Sequence, residues 1–268
     1  MNQDKDTFRG KLFVKFIKNY FKKPLKELKV LDVGCKYGAF SFELAKNFKE
    51  VIGIDVNKEA LKETKAKAEN IKNLKIKEES ILKTSFKSNS FDLITMEGVL
   101  EWVGITNPDL KAIECQKKAL KECKRILKKD GIVYVGIENR LCPYFWLQDP
   151  HGKLPLTVIL PRFLSKPLYK MIKKSYYGQN ILGYWGYKKL FNNIFNNPDI
   201  MIPLPHYKYL YEVSSFDNNE LRKKIKKVSK IKNLRKTYRW ALNGLKISSY
   251  LKLTKLFSPN FAIITRKK

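Results

Sequence analysis

From residue 29 onward the chain alternates short, mostly apolar runs with longer amphipathic ones. No other feature limits its fold more. "KVLDVG", "EVIGIDV", "LKIKEES", "FDLITME" and "IVYVGIE" read as five strands. Helical spacing over residues 39–48, 58–70 and 108–128 separates most of them, and "KSNS" and "KKDG" supply turns. Such an alternation predicts an α/β fold, a parallel sheet with helices on both faces. A chain of 268 residues that is 44% hydrophobic can bury the core this requires, as one domain with insertions.

The flanks read differently. Phe8, Leu12, Phe13, Phe16, Ile17, Tyr20 and Phe21 recur at helical spacing among lysines and Arg9, ending before Pro24. Residues 1–27 are therefore an N-terminal amphipathic helix, packed on the domain behind it or, alternatively, lying on a membrane surface. Residues 28–268 form the domain. Its rhythm breaks after Glu138, where residues 139–180 hold five prolines among aromatics and suit an inserted lid. "YWGYKKLFNNIF" is helical and "DIMIPLP" is a sixth strand. Residues 217–256 form a basic helical insertion, with 13 Lys and Arg against Asp217 and Glu220. "PNFAIITRKK" is the last strand.

The net charge is +30, and residues 139–268 carry 26 Lys and Arg against 5 Asp and Glu. Such a surface suits nucleic acid, anionic lipid or a phosphorylated substrate. The basic set is 47 Lys and only 8 Arg, however, and arginine supplies the bidentate contacts that phosphate and base recognition favour. A Lys-, Asn- and Ile-rich composition also arises from compositional bias. No run of about 18 uncharged apolar residues predicts a transmembrane helix, and the first residues do not read as a signal peptide. The four cysteines lack metal-site or disulfide spacing, so no metal is expected and the location is expected to be cytoplasmic.

The chemistry centres on "VLDVGCKYGAF", residues 30–40, a buried strand entering a glycine turn and then a helix. Ligands of open α/β sheets bind beyond the carboxyl ends of the strands, where Gly34 and Gly38 lie. A P-loop would need GxxxxGK[ST], and a dinucleotide turn GxGxxG; "GCKYGA" lacks the middle glycine that admits a pyrophosphate. Asp55 ends the second strand, where a carboxylate can take both ribose hydroxyls. A nucleoside cofactor without a diphosphate fits this pattern.

These residues resemble the class I S-adenosylmethionine-dependent methyltransferases. "VLDVGCKYG" is similar to their first motif, "VIGIDVN" to their second and "SFDLITMEGVLEWV" to their fourth. "LKECKRILKKDGIVYV" resembles their helix–turn–strand ending in LKPGG. The resemblance covers residues 28–138. It implies a Rossmann-like seven-stranded methyltransferase sheet and S-adenosyl-L-methionine as cofactor. The implied cofactor-binding set is Asp32, Gly34, Cys35, Gly38, Asp55, Val56, Glu79, Ser80, Met96 and Glu97.

Beyond the fifth strand, "VGIENR", "DPHGKLPLTVILPRFLS" and "IPLPHYKYL" resemble a narrower subgroup associated with surface glycan and lipopolysaccharide biosynthesis. That resemblance implies Glu138, Asn139, Arg140 and Arg162 at the acceptor. A hydroxyl acceptor needs a base, for which His151 with Asp149, or Glu101, are candidates. The function expected on this reading is O-methylation of a sugar in a glycan or lipid-linked precursor, with contact at the inner face of an anionic membrane. The alternatives are an RNA methyltransferase, which the arginine-poor charge disfavours, and a non-catalytic binding protein on the same fold.

Overall fold

A computed structural model of the chain describes residues 3–105, 110–147, 149, 154–173 and 179–268. The helix α1 (Gln3–Ile17) leads into β1 (Lys29–Val33), α2 (Ala39–Asn47), β2 (Glu50–Asp55), α3 (Lys58–Ala68) and β3 (Leu74–Glu78). β4 (Phe91–Glu97), α4 (Ala112–Ile126) and β5 (Leu127–Glu138) complete the alternating half. Then follow α5 (Tyr144–Leu147), α6 (Arg162–Lys173), α7 (Tyr184–Phe195), β6 (Asp199–His206) and β7 (Tyr209–Ser214). The chain closes with α8 (Asn218–Ser229), α9 (Lys236–Tyr250), α10 (Thr254–Phe257) and β8 (Asn260–Arg266).

The strands form one sheet in the order β3-β2-β1-β4-β5-β8-β6-β7. β1 to β5 are parallel to their neighbours, while β8 runs antiparallel to β5, as does β6 to β8 and β7 to β6. The sheet thus has eight described strands, one more than the seven expected. The addition is the edge strand β7, whose mixed "YLYEVS" pattern gives little apolar signal. β5 also starts earlier than expected, because "KKDG" is part of the strand, with Asp130 at φ +61°.

Alternate residues of each strand feed opposite cores. Leu31, Ile94, Val133 and Val135 pack with α4 and α7 on one face. Val30, Leu93, Ile132 and Tyr134 pack with α1 and α2 on the other. This is the period-2 burial of a sheet covered on both sides. The apolar face of α1 is consumed here, with Phe13 and Ile17 buried against Phe40, Leu44 and Tyr134, so this face docks on the domain. A third cluster, with Ile202, Leu204, Leu221, Ile225 and Leu242, seats the basic helices α8 and α9 on β6.

Candidate active site

Parallel strands end together, so β1, β2 and β4 deliver their last residues to one rim. A cavity of about 460 Å³ opens there. Asp32, Gly34, Cys35, Gly38, Asp55, Val56, Glu79, Ser80 and Glu97 all line it. Met96 does not. Its side chain is fully buried in the apolar core beside Ile94 and Val135, because strand alternation turns it away from the face that Glu97 occupies.

The turn after β1 is held by its backbone. The N–H groups of Gly34 and Cys35 both donate to the Ile54 carbonyl, at 2.8 and 3.1 Å, and Gly38 N–H donates to the Cys35 carbonyl. Gly34 adopts φ +77°, and a Cβ there would lie 2.3 Å from Val99 Cγ2. Gly38, at φ +74°, caps α2 where a Cβ would meet Thr64 Cγ2 at 2.5 Å. Glycine is required at both positions for conformation and for space. The Cys35 thiol packs against β2 at Gly53 and is pushed up by burial, so it presents no thiolate.

Asp55 accepts from the backbone N–H of Lys36 at 2.8 Å and of Asn57 at 2.9 Å, which fixes its carboxylate at the rim. Asp32 is buried and accepts from Ser41 Oγ and from Thr95 Oγ1, the latter at 3.0 Å. Burial pushes its carboxyl up to about 6, against those hydrogen bonds and the charge of Arg9. Glu79 accepts from the Ser85 hydroxyl and N–H, tying down the loop that carries Ser80.

Arg9, from α1, is a lining residue that the motifs did not indicate. Its Nε–H donates to Glu97 Oε2 at 2.6 Å, its Nη2 meets the same oxygen, and its guanidinium lies 4.8 Å from the Phe40 ring centroid. Burial raises the Glu97 carboxyl, opposed by Arg9, and Glu97 Oε1 is buried with no hydrogen-bond partner among the described residues. Trp102, Val103 and Lys208 complete the far wall.

Behind that wall lies a second acidic group. Glu101 and Glu138 are buried as neighbouring carboxyls, and Tyr207 Oη donates to Glu138 Oε1 at 2.8 Å. Burial, and then the charge of Glu138, push the Glu101 carboxyl well up. Gly98, at φ +66°, lines the cavity directly above them. A Cβ there would stand 2.8 Å from Tyr207 Oη and 3.6 Å from Glu101 Oε1. Glu101 was among the expected bases and Glu138 among the acceptor residues, and the fold brings them together.

The remaining expected acceptor residues hold backbone. Asn139 Nδ2 donates to the carbonyls of Leu256 and Ser258, and its Oδ1 accepts from Leu141 N–H. The Arg140 guanidinium donates to the carbonyls of Val158, Ile159 and Leu160, pinning the insertion to the end of β5. Asp149 is buried, accepting from Thr157 Oγ1 at 3.0 Å, and its N–H donates to the Leu154 carbonyl. None of the three lines the cavity. Arg162 is the first residue of α6, its side chain outside the described part, and His151 lies outside the described residues. No cluster of three or more potential metal-ligating side chains occurs among the described residues, and the four cysteines are buried.

Residues 31–135 match the family model of the methyltransferase domain. The YcgJ protein of Bacillus subtilis superposes over 96% of this chain and 98% of its own, with a TM-score of 0.52 at 17% identity. The chain has the Rossmann-like methyltransferase fold. Among curated proteins it is similar to the ubiquinone biosynthesis O-methyltransferase of Pelagibacter ubique, at 31% identity over 44% of this chain and 45% of the relative. It is also similar to the demethylmenaquinone methyltransferase of Staphylococcus aureus, at 34% identity over 40% of this chain and 42% of that protein. The chain thus spans less than half the length of these relatives. The resemblance to the surface-glycan and lipopolysaccharide subgroup is overturned by these matches, whose names describe quinone methylation. Of the residues that carried it, Asn139 and Arg140 hold backbone carbonyls and Asp149 bonds within the insertion.

Proposed function

We propose that this chain is a methyltransferase that uses S-adenosyl-L-methionine to methylate a small molecule, a quinone precursor bearing a ring hydroxyl. The observation that carries the cofactor reading is the cavity at the glycine turn, with Asp32 and Asp55 at the ends of adjacent strands. Its lining holds four carboxylates (Asp32, Asp55, Glu79, Glu97) and three cations (Arg9, Lys36, Lys208). A formal balance of −1 suits a ligand with a sulfonium, an ammonium and a carboxylate, and it disfavours a diphosphate. When bound, S-adenosyl-L-methionine supplies an electrophilic methyl group.

The chain's own groups would then divide the work. Asp55 would take the ribose hydroxyls, and Val56 and Ser80 would border the base. Arg9 would face the ligand's carboxylate, and the orphaned Oε1 of Glu97 its ammonium. The backbone of Gly34 and Gly38 allows close approach. The Glu101–Glu138 pair, which stands behind the lining beneath Gly98, would accept the proton of the acceptor hydroxyl through an intervening water and not by direct contact. Tyr207 would hold Glu138 in place beneath Gly98. The quinone class of acceptor is supported by the names of the curated relatives.

The test is incubation with methyl-labelled cofactor and a panel of ring-hydroxylated quinone precursors, alongside total RNA. Label in a phenolic precursor is expected. Label confined to RNA, or in no acceptor, would sink the assignment.

A further inference from the structure

Surface helices of globular domains bury their apolar stripe and show their polar one. Helix α6 does the reverse. At helical spacing, Phe163, Leu164, Pro167, Leu168, Met171 and Ile172 occupy one half of its circumference, and Ser165, Lys166, Tyr169, Lys170 and Lys173 the other. Yet Ser165 is fully buried and Lys166 and Tyr169 partly so, while Phe163 is 75% exposed and Met171 73%. Leu168 is partly buried and Lys170 and Lys173 are exposed, so the helix meets the protein along Ser165 and Tyr169 and turns most of its apolar half to solvent.

We propose that the outward face of α6 docks on the surface of an anionic lipid bilayer. Twelve residues at about 1.5 Å each make a helix too short to cross a membrane but suited to lie in its interface. Lys170 and Lys173 are exposed beside the apolar half, where an interfacial helix carries the charges that meet anionic headgroups. The complementarity extends through the segment, since residues 139–183 hold seven Lys and Arg against Asp149 alone. α5, earlier in the same insertion, adds Leu147, 80% exposed.

The helix is also rooted where docking would matter. Arg140, two residues beyond the end of β5, grips the carbonyls of Val158, Ile159 and Leu160 just ahead of α6. The Glu101–Glu138 pair lies at that same end of the sheet. α1, the other basic amphipathic helix, has spent its apolar face on the domain. α9 exposes Trp240 and Ile247, yet it buries Leu242 and Leu245 in the ordinary way. The inference accords with an apolar quinone-type acceptor but stands on the surface of α6 alone.

The test is flotation of the full chain with phosphatidylcholine vesicles, with and without phosphatidylglycerol. The pair Phe163→Asp and Met171→Asp is compared with wild type, with Trp240→Asp as a second site. Wild type and Trp240→Asp should float with the anionic vesicles. The α6 double variant should bind at least tenfold more weakly while titrating S-adenosylhomocysteine like wild type, which separates loss of docking from loss of the cofactor site. No flotation of wild type would overturn the proposal. So would equal flotation of the α6 variant, or loss through Trp240→Asp alone. A concentration-dependent dimer in sedimentation, abolished by the α6 substitutions, would also overturn it, because a second copy would then cover this face.

Discussion

Arg9 and Glu97 lie 88 residues apart in sequence, and the Nε–H and Nη2 of Arg9 both meet Oε2 of Glu97 in the wall of the cavity. This contact fastens α1 to the end of β4. With Glu97 buried, removing the cation leaves a carboxylate with neither partner nor solvent. Arg9→Ala should therefore cost about 3 kcal/mol of stability in urea unfolding. Arg9→Met combined with Glu97→Gln should recover most of the loss, and an equal cost in the double variant would disprove the pairing.

Asp32 should make cofactor binding pH-dependent. Its carboxyl is raised from the ordinary 3.8 to about 6, with Ser41, Thr95, Arg9 and Glu97 around it. The folded chain thus binds more protons here than the unfolded one between pH 4 and 6, and this group's contribution to stability falls as pH rises through that window. A cationic ligand favours the ionised form. Affinity should rise with pH by up to about tenfold per unit below pH 6 and level off above it. Calorimetric titrations across pH 5 to 8 read the slope, which Asp32→Asn should reduce.

Gly34→Ala should be destabilising, by about 2 kcal/mol, from left-handed backbone strain and overlap with Val99. Adding Val99→Ala relieves the overlap and leaves the strain, about 1 kcal/mol. Unfolding midpoints of the three proteins distinguish the two terms. A neutral Gly34→Ala would mean that the turn is not held as described.

Glu101→Gln and Glu138→Gln each remove the carboxylate that would take the acceptor's proton. Either should lower kcat by about a hundredfold or more while leaving cofactor affinity within about twofold. Tyr207→Phe deletes the hydrogen bond to Glu138 and should move the pH profile of kcat rather than the cofactor affinity. Single-turnover measurements with saturating cofactor decide this, and undiminished turnover in both glutamine variants would remove the pair from the mechanism.

What could be read from the sequence was what is local. The alternating elements and "VLDVGCKYGAF" carry their fold in neighbouring residues, so the turn, Asp32 and Asp55 fall where expected. Alternation along β4 also holds the signal that Met96 faces the core. Arg9 was harder to see because its role depends on α1 docking across the sheet. The trace it leaves is being the single arginine among the eight basic residues of 1–27. Tyr207 and Lys208 reach the site through the turn between β6 and β7, and β7 was itself too mixed in pattern to read as a strand. Asn139 and Arg140 show the converse. Strong donors after a strand suit a ligand or the carbonyls of an insertion equally, and only the folded chain distinguishes the two.

Isothermal titration of S-adenosylhomocysteine into the wild type and Asp55→Ala tests the cofactor site most directly. One site per chain is expected, with affinity at least tenfold weaker when Asp55 no longer meets the ribose. No binding to the wild type, or identical binding to Asp55→Ala, would contradict the assignment of the cavity.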